Sequence, residues 1–376
     1  MQLRRITTQG NWIPEIDGLR FAAIAATLLV HVLDETFERG GLTLDAAKQA
    51  KLFYLTDSGG RGVLLFFAIS GFILAQPFLR QHLQGGTPVS ISGYFKRRLT
   101  RLEPPYILSL LIYAVAMLAY RHPMAKLLAP LMAHLFYVHN LFAGMEPVNF
   151  VAWSLEVEVQ FYILAPILGL LYAIRSTVTR RGMMIALIVA SAVAKDLTHG
   201  VVQMSLPGQL QFFMVGFLLA DLRATRTESS TKWWWDVVSV PVWVTLFAMS
   251  KDVAPYTTAP LILLACLATF NGPITRGFFR TEWIAITGGM CYSFYLMHML
   301  VIMTAFKVTK RLILPDHLAA TYAIQVVLLL PLVAVVSTIY YALIERPCME
   351  PKWPNRLAAH WRQRVCGRKD VIAAPR

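Results

Sequence analysis

Ten apolar stretches, each close to the length needed to cross a bilayer, divide this chain into spans joined by mostly short loops. They run roughly over 17–34, 60–79, 102–120, 154–173, 183–199, 208–222, 234–250, 256–272, 284–306 and 320–344. A transmembrane helix takes about 17–25 mostly apolar residues. In lipid only helices and closed barrels satisfy every backbone polar group, and runs of this length select helices. The pattern predicts an all-α polytopic membrane protein of about ten transmembrane helices. An eleventh stretch, roughly 127–143, contains Pro130, His134, His139 and Asn140 and reads either as a span or as a re-entrant or interfacial piece.

Loop charge orients the spans, because Lys and Arg accumulate on the cytoplasmic side. With Arg4 and Arg5 inside, the first outer loop is acidic, with Asp34, Glu35, Glu38, Asp45 and Asp57. The inner loops then carry Arg80, Lys96, Arg97, Arg98 and Arg101; Arg175, Arg180 and Arg181; Arg223, Arg226 and Lys232; and Arg276 and Arg280. A basic tail from Arg346 to Arg376 is also inside. Only the outer loop with Lys307, Lys310 and Arg311 fits poorly. If 127–143 crossed, the 175–181 loop and the tail would fall outside. Ten spans with both termini cytoplasmic is therefore the expectation, with an integral-membrane domain over 1–348 and a basic cytoplasmic tail over 349–376.

This assignment also accounts for an unusual composition. The 376-residue chain is 56% hydrophobic and 15% charged, yet carries a formal net charge of +14. A nucleic-acid binder would explain the charge but not the apolar runs, and disorder requires low hydrophobicity. The four cysteines form no CxxC pair, so no metal site is expected. No cleaved signal peptide is expected either, because Met1 to Ile16 is polar and lacks a small-residue cleavage site.

Ionisable side chains inside apolar spans are costly and mark candidate function. In the first span Arg20 and His31 are eleven residues apart, three helical turns plus about 20°, so they share a face with about 16 Å of rise between them. Thr27 lies between them on that face, with Asp17 and Asp34 flanking it. The fourth span opens at Trp153 and Ser154 and carries Glu156, Glu158, Gln160 and Tyr162. Two residues apart, the two carboxylates point to different faces, so only one can face a site. The ninth span carries Tyr292, Ser293, Tyr295 and His298, and His298 reads equally as a site residue or a packing donor. Lys96, Arg97, Arg98 and Arg101 read as topogenic charge in contact with lipid headgroups, or more sharply as a phosphate-binding mouth. Ser70 and Gly71 permit close helix approach, with pore lining as the alternative.

Six blocks in order over about residues 14–348 resemble the membrane-bound acyltransferase-3 family. An Arg and a His separated by ten residues correspond to Arg20 and His31 within IDGLRFAAIAATLLVHV. Gly62 to Phe72 resembles GVDLFFVISGF. Phe95, Arg97, Arg98, Arg101 and Pro104 resemble FxxRRxxRxxP. Trp153, Ser154, Glu158, Gln160, Phe161, Tyr162 and Pro166 resemble WSLxVExQFYxxxP. Tyr292 to His298 resembles YSxYLxH, and Ile344 to Pro347 resembles IExP. Leu64 departs from the pattern, since it stands where the family usually has Asp. An esterase-like domain of the kind frequent at the C-terminus of such proteins is not expected here.

The resemblance implies O-acyl transfer, usually of acetyl, from cytosolic acetyl-CoA to a hydroxyl, commonly of a sugar on the far side of a bacterial cytoplasmic membrane. His31 is then the expected general base, Glu158 the carboxylate that orients or polarises it, and Arg20 the donor guide in the inner half. Arg97, Arg98 and Arg101 would hold the donor phosphates. Asp17, Thr27, Ser70, Trp153, Gln160, Tyr292 and His298 would line the substrate path. No tightly bound cofactor is expected; acyl-CoA acts as a substrate. Expected partners are membrane lipid, acyl-CoA, a lipid-linked or polymeric glycan acceptor and polysaccharide-assembly proteins, with no nucleic acid. A macrolide-like metabolite is an alternative acceptor. A transporter or flippase is the rival class, weakened by the lack of an inverted repeat and by the absence of Pro or Gly between Arg20 and His31.

Overall fold

The computed structural model describes residues 3–6, 12–41, 45–142, 144–198, 200–225, 231–249, 254–315, 317–350 and 353, the side chains of 46–58 and 254–255 aside. Most of the 349–376 tail, Cys366 included, lies outside the described residues. Among the described residues the regular structure is helical: α1 (Pro14–Arg39), α2 (Ala46–Leu83), α3 (Ile91–Ala119), α4 (Met124–Leu135), α5 (Trp153–Leu168), α6 (Thr177–Leu197), α7 (Leu206–Ala224), α8 (Trp234–Ala248), α9 (Ala254–Asn271), α10 (Pro273–Phe279), α11 (Glu282–Gly289), α12 (Cys291–Thr309) and α13 (Leu318–Tyr340).

Eight described helical segments are long and apolar enough to cross a membrane, or nine if α9 and α10, bent by 93°, form one broken span. The remaining expected span, α8, is apolar but has only 15 residues. Large apolar side chains such as Ile163, Val178, Val327 and Leu343 are left exposed on these helices, as lipid-facing surfaces require. The chain is a multi-pass helical membrane protein.

Two stretches differ in detail from the hydropathy reading. α4 has 12 residues, about 18 Å of rise against a hydrocarbon core of about 30 Å. The chain then turns at Tyr137 in the left-handed region (φ 57°). The 127–143 stretch therefore forms no crossing helix. The expected span at 284–306 is cut after Gly289, and the membrane-length segment is Cys291–Leu312. The physical cause is a close approach: a Cβ on Gly288 would stand 1.7 Å from the Asp17 carbonyl oxygen, so α11 lies directly on the α1 backbone.

Local sequence sets the helix starts. Pro14 occupies the first turn of α1, where its fixed φ suits the helix, and Glu15 and Asp17 favour that dipole end. Ser90 caps α3 by accepting from Gly93 N at 3.2 Å, and Ser176 caps α6 by accepting from Thr179 N at 3.3 Å. Buried Arg61 donates to the carbonyls of Leu246 (2.7 Å) and Met249 (2.5 Å) at the end of α8.

α1 belongs to two hydrophobic cores. Ile16, Leu19 and Ala23 pack with α2, α5, α7 and α9, whereas Ile24, Leu28 and Val32 pack with α3, α12 and α13. Within the first core α2 and α7 meet backbone to backbone. A Cβ on Gly216 would lie 2.1 Å from the Ala68 carbonyl oxygen, and one on Gly71 would lie 2.1 Å from the Phe213 carbonyl oxygen. Gly71 thus takes the close-approach role small residues have in lipid. Gly216→Val is expected to force these helices apart at a cost of about 3 kcal/mol. A large loss of thermal stability in detergent would show it, and an unchanged melting temperature would refute the contact.

Basic residues from separate loops, Arg223, Arg276 and Arg280, come together beside the start of α1. Arg276 pairs there with Glu15 at 2.7 Å; Arg180 (2.5 Å) and Arg181 (2.7 Å) both pair with Asp221. Trp353 Nε1 donates to the Thr100 carbonyl at 3.0 Å, fixing the start of the tail there. At the opposite end the misfit Lys307 is used locally: its ammonium lies 3.1 Å from the Tyr120 ring centroid.

Candidate functional site

Two groups of side chains stand at opposite ends of the unbroken stretch of α1 between Arg20 and His31. Arg20 Nη1 donates to Asp17 Oδ1 at 2.6 Å, Trp12 Nε1 donates to Asp17 Oδ2 at 2.8 Å, and Arg5 Nε stands 3.8 Å from Asp17. Asp17 is 1% exposed, so its charge depends on these partners. Burial, and then the charge of Arg20, push the Arg5 guanidinium down to about 9, with Asp17 opposing. Arg101 is within electrostatic reach of Arg5 and Glu345, and its Nε is buried without a hydrogen-bond partner. This end therefore gathers guanidinium groups in excess of carboxylates.

The arginines expected to act as one cluster are spread in depth. Arg97 is exposed. Arg98 stacks over Tyr94 with its Cζ 3.6 Å from the centroid and donates to the Tyr94 carbonyl at 2.9 Å. Arg101 turns inward. A second basic feature lies beside Trp12: a pocket of about 260 Å³ lined by Trp12, Ile13, Pro14, Glu15, Arg223, Arg276 and Arg280. Arg223 is braced over Phe270, its Cζ 3.6 Å from the ring centroid.

At the far end of α1 the His31 and His298 rings lie 5.2 Å apart, centroid to centroid, and Phe150 meets His31 edge-on at 5.3 Å. The Nδ1 of His298 faces the carbonyl oxygens of Phe294 (2.9 Å) and Tyr295 (2.8 Å). Carbonyls only accept, so that nitrogen carries the proton, and the buried Nε2 is an acceptor without a partner. His31 Nδ1 stands 3.6 Å from Asp34 Oδ2, an ion-pair distance rather than a hydrogen bond. His31 is about 15% exposed, so one side remains open.

Glu158 stands apart from this imidazole pair. Its Oε1 accepts from Ser70 Oγ at 2.6 Å and from Tyr162 OH at 2.7 Å, and it is within electrostatic reach of Arg20 and Arg98. The carboxylate beside His31 is Asp34. Thr27 donates to the Ala23 carbonyl at 3.0 Å and packs where α2 passes α1 at Gly62. Trp153 meets Phe67 edge-on, Gln160 holds Tyr137 O and Asn140 Oδ1, and Tyr292 donates to the Leu102 carbonyl at 2.9 Å. Leu64 packs partly buried against the first core. Of the expected site residues, Arg20 joins Asp17 and His31 joins His298. Ser70 joins Glu158, and Thr27, Trp153, Gln160 and Tyr292 connect helices.

Sequence reasoning did not single out Arg5, Trp12, Arg223 or Glu345 as site residues. Glu345, 1% exposed, accepts from both Ser293 N (3.0 Å) and Ser293 Oγ (2.5 Å), and it ends a π-helical turn over Tyr341–Glu345. A widened turn of this kind frequently marks a functional helix; the IExP block at Ile344–Pro347 contains Glu345 without announcing the turn, and the distant partners of Arg5 and Arg223 leave no spacing signature in the sequence.

The sequence matches a family model described as an acyltransferase domain over residues 13–342. A Staphylococcus aureus (strain COL) protein bearing a provisional O-acetyltransferase name is 27% identical over 169 residues, 42% of this chain and 25% of that protein. The peptidoglycan O-acetyltransferase OatA of Listeria monocytogenes is 24% identical over 168 residues, 42% of this chain and 24% of that protein. The O-acetyltransferase OatA of Staphylococcus aureus (strain NCTC 8325) is 22% identical over 379 residues, 90% of this chain and 57% of that protein. The chain thus spans about a quarter to somewhat over half the length of these curated relatives. No solved structure matches.

Proposed function

Because this chain belongs to the acyltransferase-3 family, we propose that it transfers an acyl group, most simply acetyl, from an acyl-CoA held at the Arg20 end to a hydroxyl of a glycan at the His31 end. The observation that carries this reading is the single continuous helix with a guanidinium cluster at one end and a paired imidazole at the other. The names of the aligned relatives support O-acetylation as the reaction. The basic residues gathered beside the start of α1 support a cytosolic Arg20 end, and with it cytoplasmic termini.

CoA is polyanionic and stays in water. Arg97 and the Arg223–Arg276–Arg280 pocket are exposed acceptors for its phosphates, and guanidinium forks bind phosphate bidentately. Arg98, Arg101 and Arg20 continue the positive path inward and draw the thioester arm along α1. At the other end a neutral His31 takes the proton of the acceptor hydroxyl. The oxygen attacks the thioester carbonyl, the C–S bond breaks, and the proton returns to the departing thiolate. Asp34 and the Nε2 lone pair of His298 stabilise the transient imidazolium, the function expected for Glu158 from sequence. Glu158, bridging Ser70 and Tyr162 near Arg20, instead balances the arginines along the donor path. In this reading the protein sits in a bacterial inner membrane.

Mass spectrometry of cell-envelope and secreted glycans with and without the gene tests the proposal. Loss of a single acyl modification names donor group and acceptor together, whereas unchanged glycans, with no thioester cleavage by the purified protein, would favour the transporter class. Within the mechanism, Asp34→Asn is expected to lower kcat about tenfold with little change in KM, since Asp34 supports His31 without touching substrate. A larger drop for Glu158→Gln in kcat alone, with donor KM unaltered, would reverse the two carboxylate roles.

A further inference from the structure

A set of unsatisfied donors lies under the π-helical turn, in the core that α1 shares with α3, α12 and α13. Tyr341 and Glu345 stand at the two ends of that turn, and both are buried. Leu3 and Ile6, which flank Arg5, pack into the same core. Arg5, Arg101 and Arg346 are all within electrostatic reach of the Tyr341 phenol. The phenol oxygen and the Nε atoms of these three arginines are buried and have no hydrogen-bond partner. Two carboxylates, Asp17 and Glu345, are within reach of Arg5, and both are already engaged. Asp17 accepts from Trp12 and Arg20, and Glu345 accepts from Ser293.

We propose that Arg5, Arg101, Arg346 and Tyr341 bind the diphosphate of the donor, while the open pocket of Arg223, Arg276 and Arg280 binds its terminal monophosphate; the inference rests on the acyl-CoA reading above. The reasons are chemical. Buried N–H and O–H donors without acceptors cost free energy, and here four are gathered beneath one turn. Three arginines exclude a cation as the occupant. An anion rich in acceptor oxygens satisfies all four groups at once, and guanidinium forks fit phosphate. The order of groups along the donor decides which phosphate goes where. In CoA the diphosphate joins the pantetheine arm, and the monophosphate sits on the ribose at the other end. The closed site is continuous with Arg20, because Arg5 stands 3.8 Å from the Asp17 oxygen that Arg20 holds at 2.6 Å. The group next to the reactive arm therefore belongs there. The open pocket is lined by Trp12, which holds the other oxygen of Asp17, and its Arg276 and Arg280 are 34% and 51% exposed. That suits the group left nearest water. The pair of sites also defines the donor class. A phosphopantetheine arm on a carrier protein has one phosphodiester, so it would fill the closed site in part and the open pocket not at all. The protein thus selects free CoA thioesters.

The test is binding, so it needs neither acceptor nor turnover. Full-length protein in detergent is titrated calorimetrically with CoA and with dephospho-CoA, which lacks the terminal monophosphate. The wild type is expected to bind CoA about tenfold more tightly than dephospho-CoA. Tyr341→Phe and Arg346→Gln are each expected to weaken both ligands about tenfold and to keep that ratio, whereas Arg280→Gln is expected to bring the ratio to about one. Tyr341→Phe carries a further mark. It removes a buried hydroxyl that has no partner, so the free protein should be at least as stable as the wild type while its CoA affinity falls. A tyrosine with a structural role alone would not separate the two. A wild type that binds CoA, with Tyr341→Phe and Arg346→Gln proteins that bind it equally well, overturns the site and leaves the donor reading standing. Loss of the ratio in Arg346→Gln instead of Arg280→Gln overturns the assignment of the two phosphates. A wild type that binds no CoA removes the donor reading and the proposal with it. Should Arg346→Gln fail to fold, Tyr341→Phe, which loses a single oxygen, decides alone.

Discussion

Replacing His31 with alanine is expected to abolish acyl transfer while the protein still inserts and folds. Among the described residues His31 is the one imidazole at the far end of α1 that combines an open side with a neighbouring carboxylate. A positioned general base contributes about 10²–10⁴-fold to a proton-transfer step, so the loss reads as near-complete in a cell assay. Stability should change little, because the ring is partly exposed and Nδ1 makes no hydrogen bond that removal would orphan. Glycan acetylation together with detergent-extracted protein yield measures both. An inserted His31→Ala protein that acetylates normally would remove His31 from the mechanism. His298→Ala is a weaker perturbation of the same pair and should leave residual activity.

The second large effect is expected at Arg20, and it has two parts that separate cleanly. Arg20→Ala removes the cation hydrogen-bonded at 2.6 Å to a carboxylate that is 1% exposed. Breaking one partner of a buried pair costs about 3–5 kcal/mol, softened here by the remaining contacts of Asp17 with Trp12 and Arg5. The same change removes the guanidinium nearest the proposed thioester path, and activity should fall by about 10²-fold or more. Asp17→Asn/Arg20→Ala takes away the stranded charge. This double variant is expected to recover most of the stability and none of the activity. Recovery of both would reduce Arg20 to a structural counter-ion.

The scaffold was largely legible because hydropathy and loop charge are summed over many residues. Single misreadings, such as the break at Gly289, barely disturb such sums. What escaped depends on one side chain meeting another across the bundle. The cut in the ninth span comes from Gly288 resting on the Asp17 carbonyl, a contact between positions 271 residues apart. Periodicity predicts one face for Arg20, Thr27 and His31, yet it could not tell that α2 passes at Thr27. Likewise the two-residue spacing of Glu156 and Glu158 gave their divergence but not their destinations. Those destinations are a histidine stack on one side of α5 and a serine–tyrosine pair on the other. Asp34, read both as a loop acid and as flanking the Arg20–His31 face, was given a role only when its distance to His31 was known.

The continuity of α1 between Arg20 and His31 has a further meaning for selectivity. With no Pro or Gly between them, the interval is a constant of the fold, about 16 Å of rise. It works as a gauge. On the proposed function, a donor whose charged portion is anchored at the arginine end would deliver its carbonyl carbon at a single depth, whatever the group attached to it. Extra carbons on that group cannot be taken up by sliding the donor back. They must project past the imidazole into the Phe150 and His298 rings that close on His31 at 5.3 and 5.2 Å. A preference for short acyl groups would then be dictated by what stands at the end of the ruler, with no pocket devoted to recognising acetyl itself.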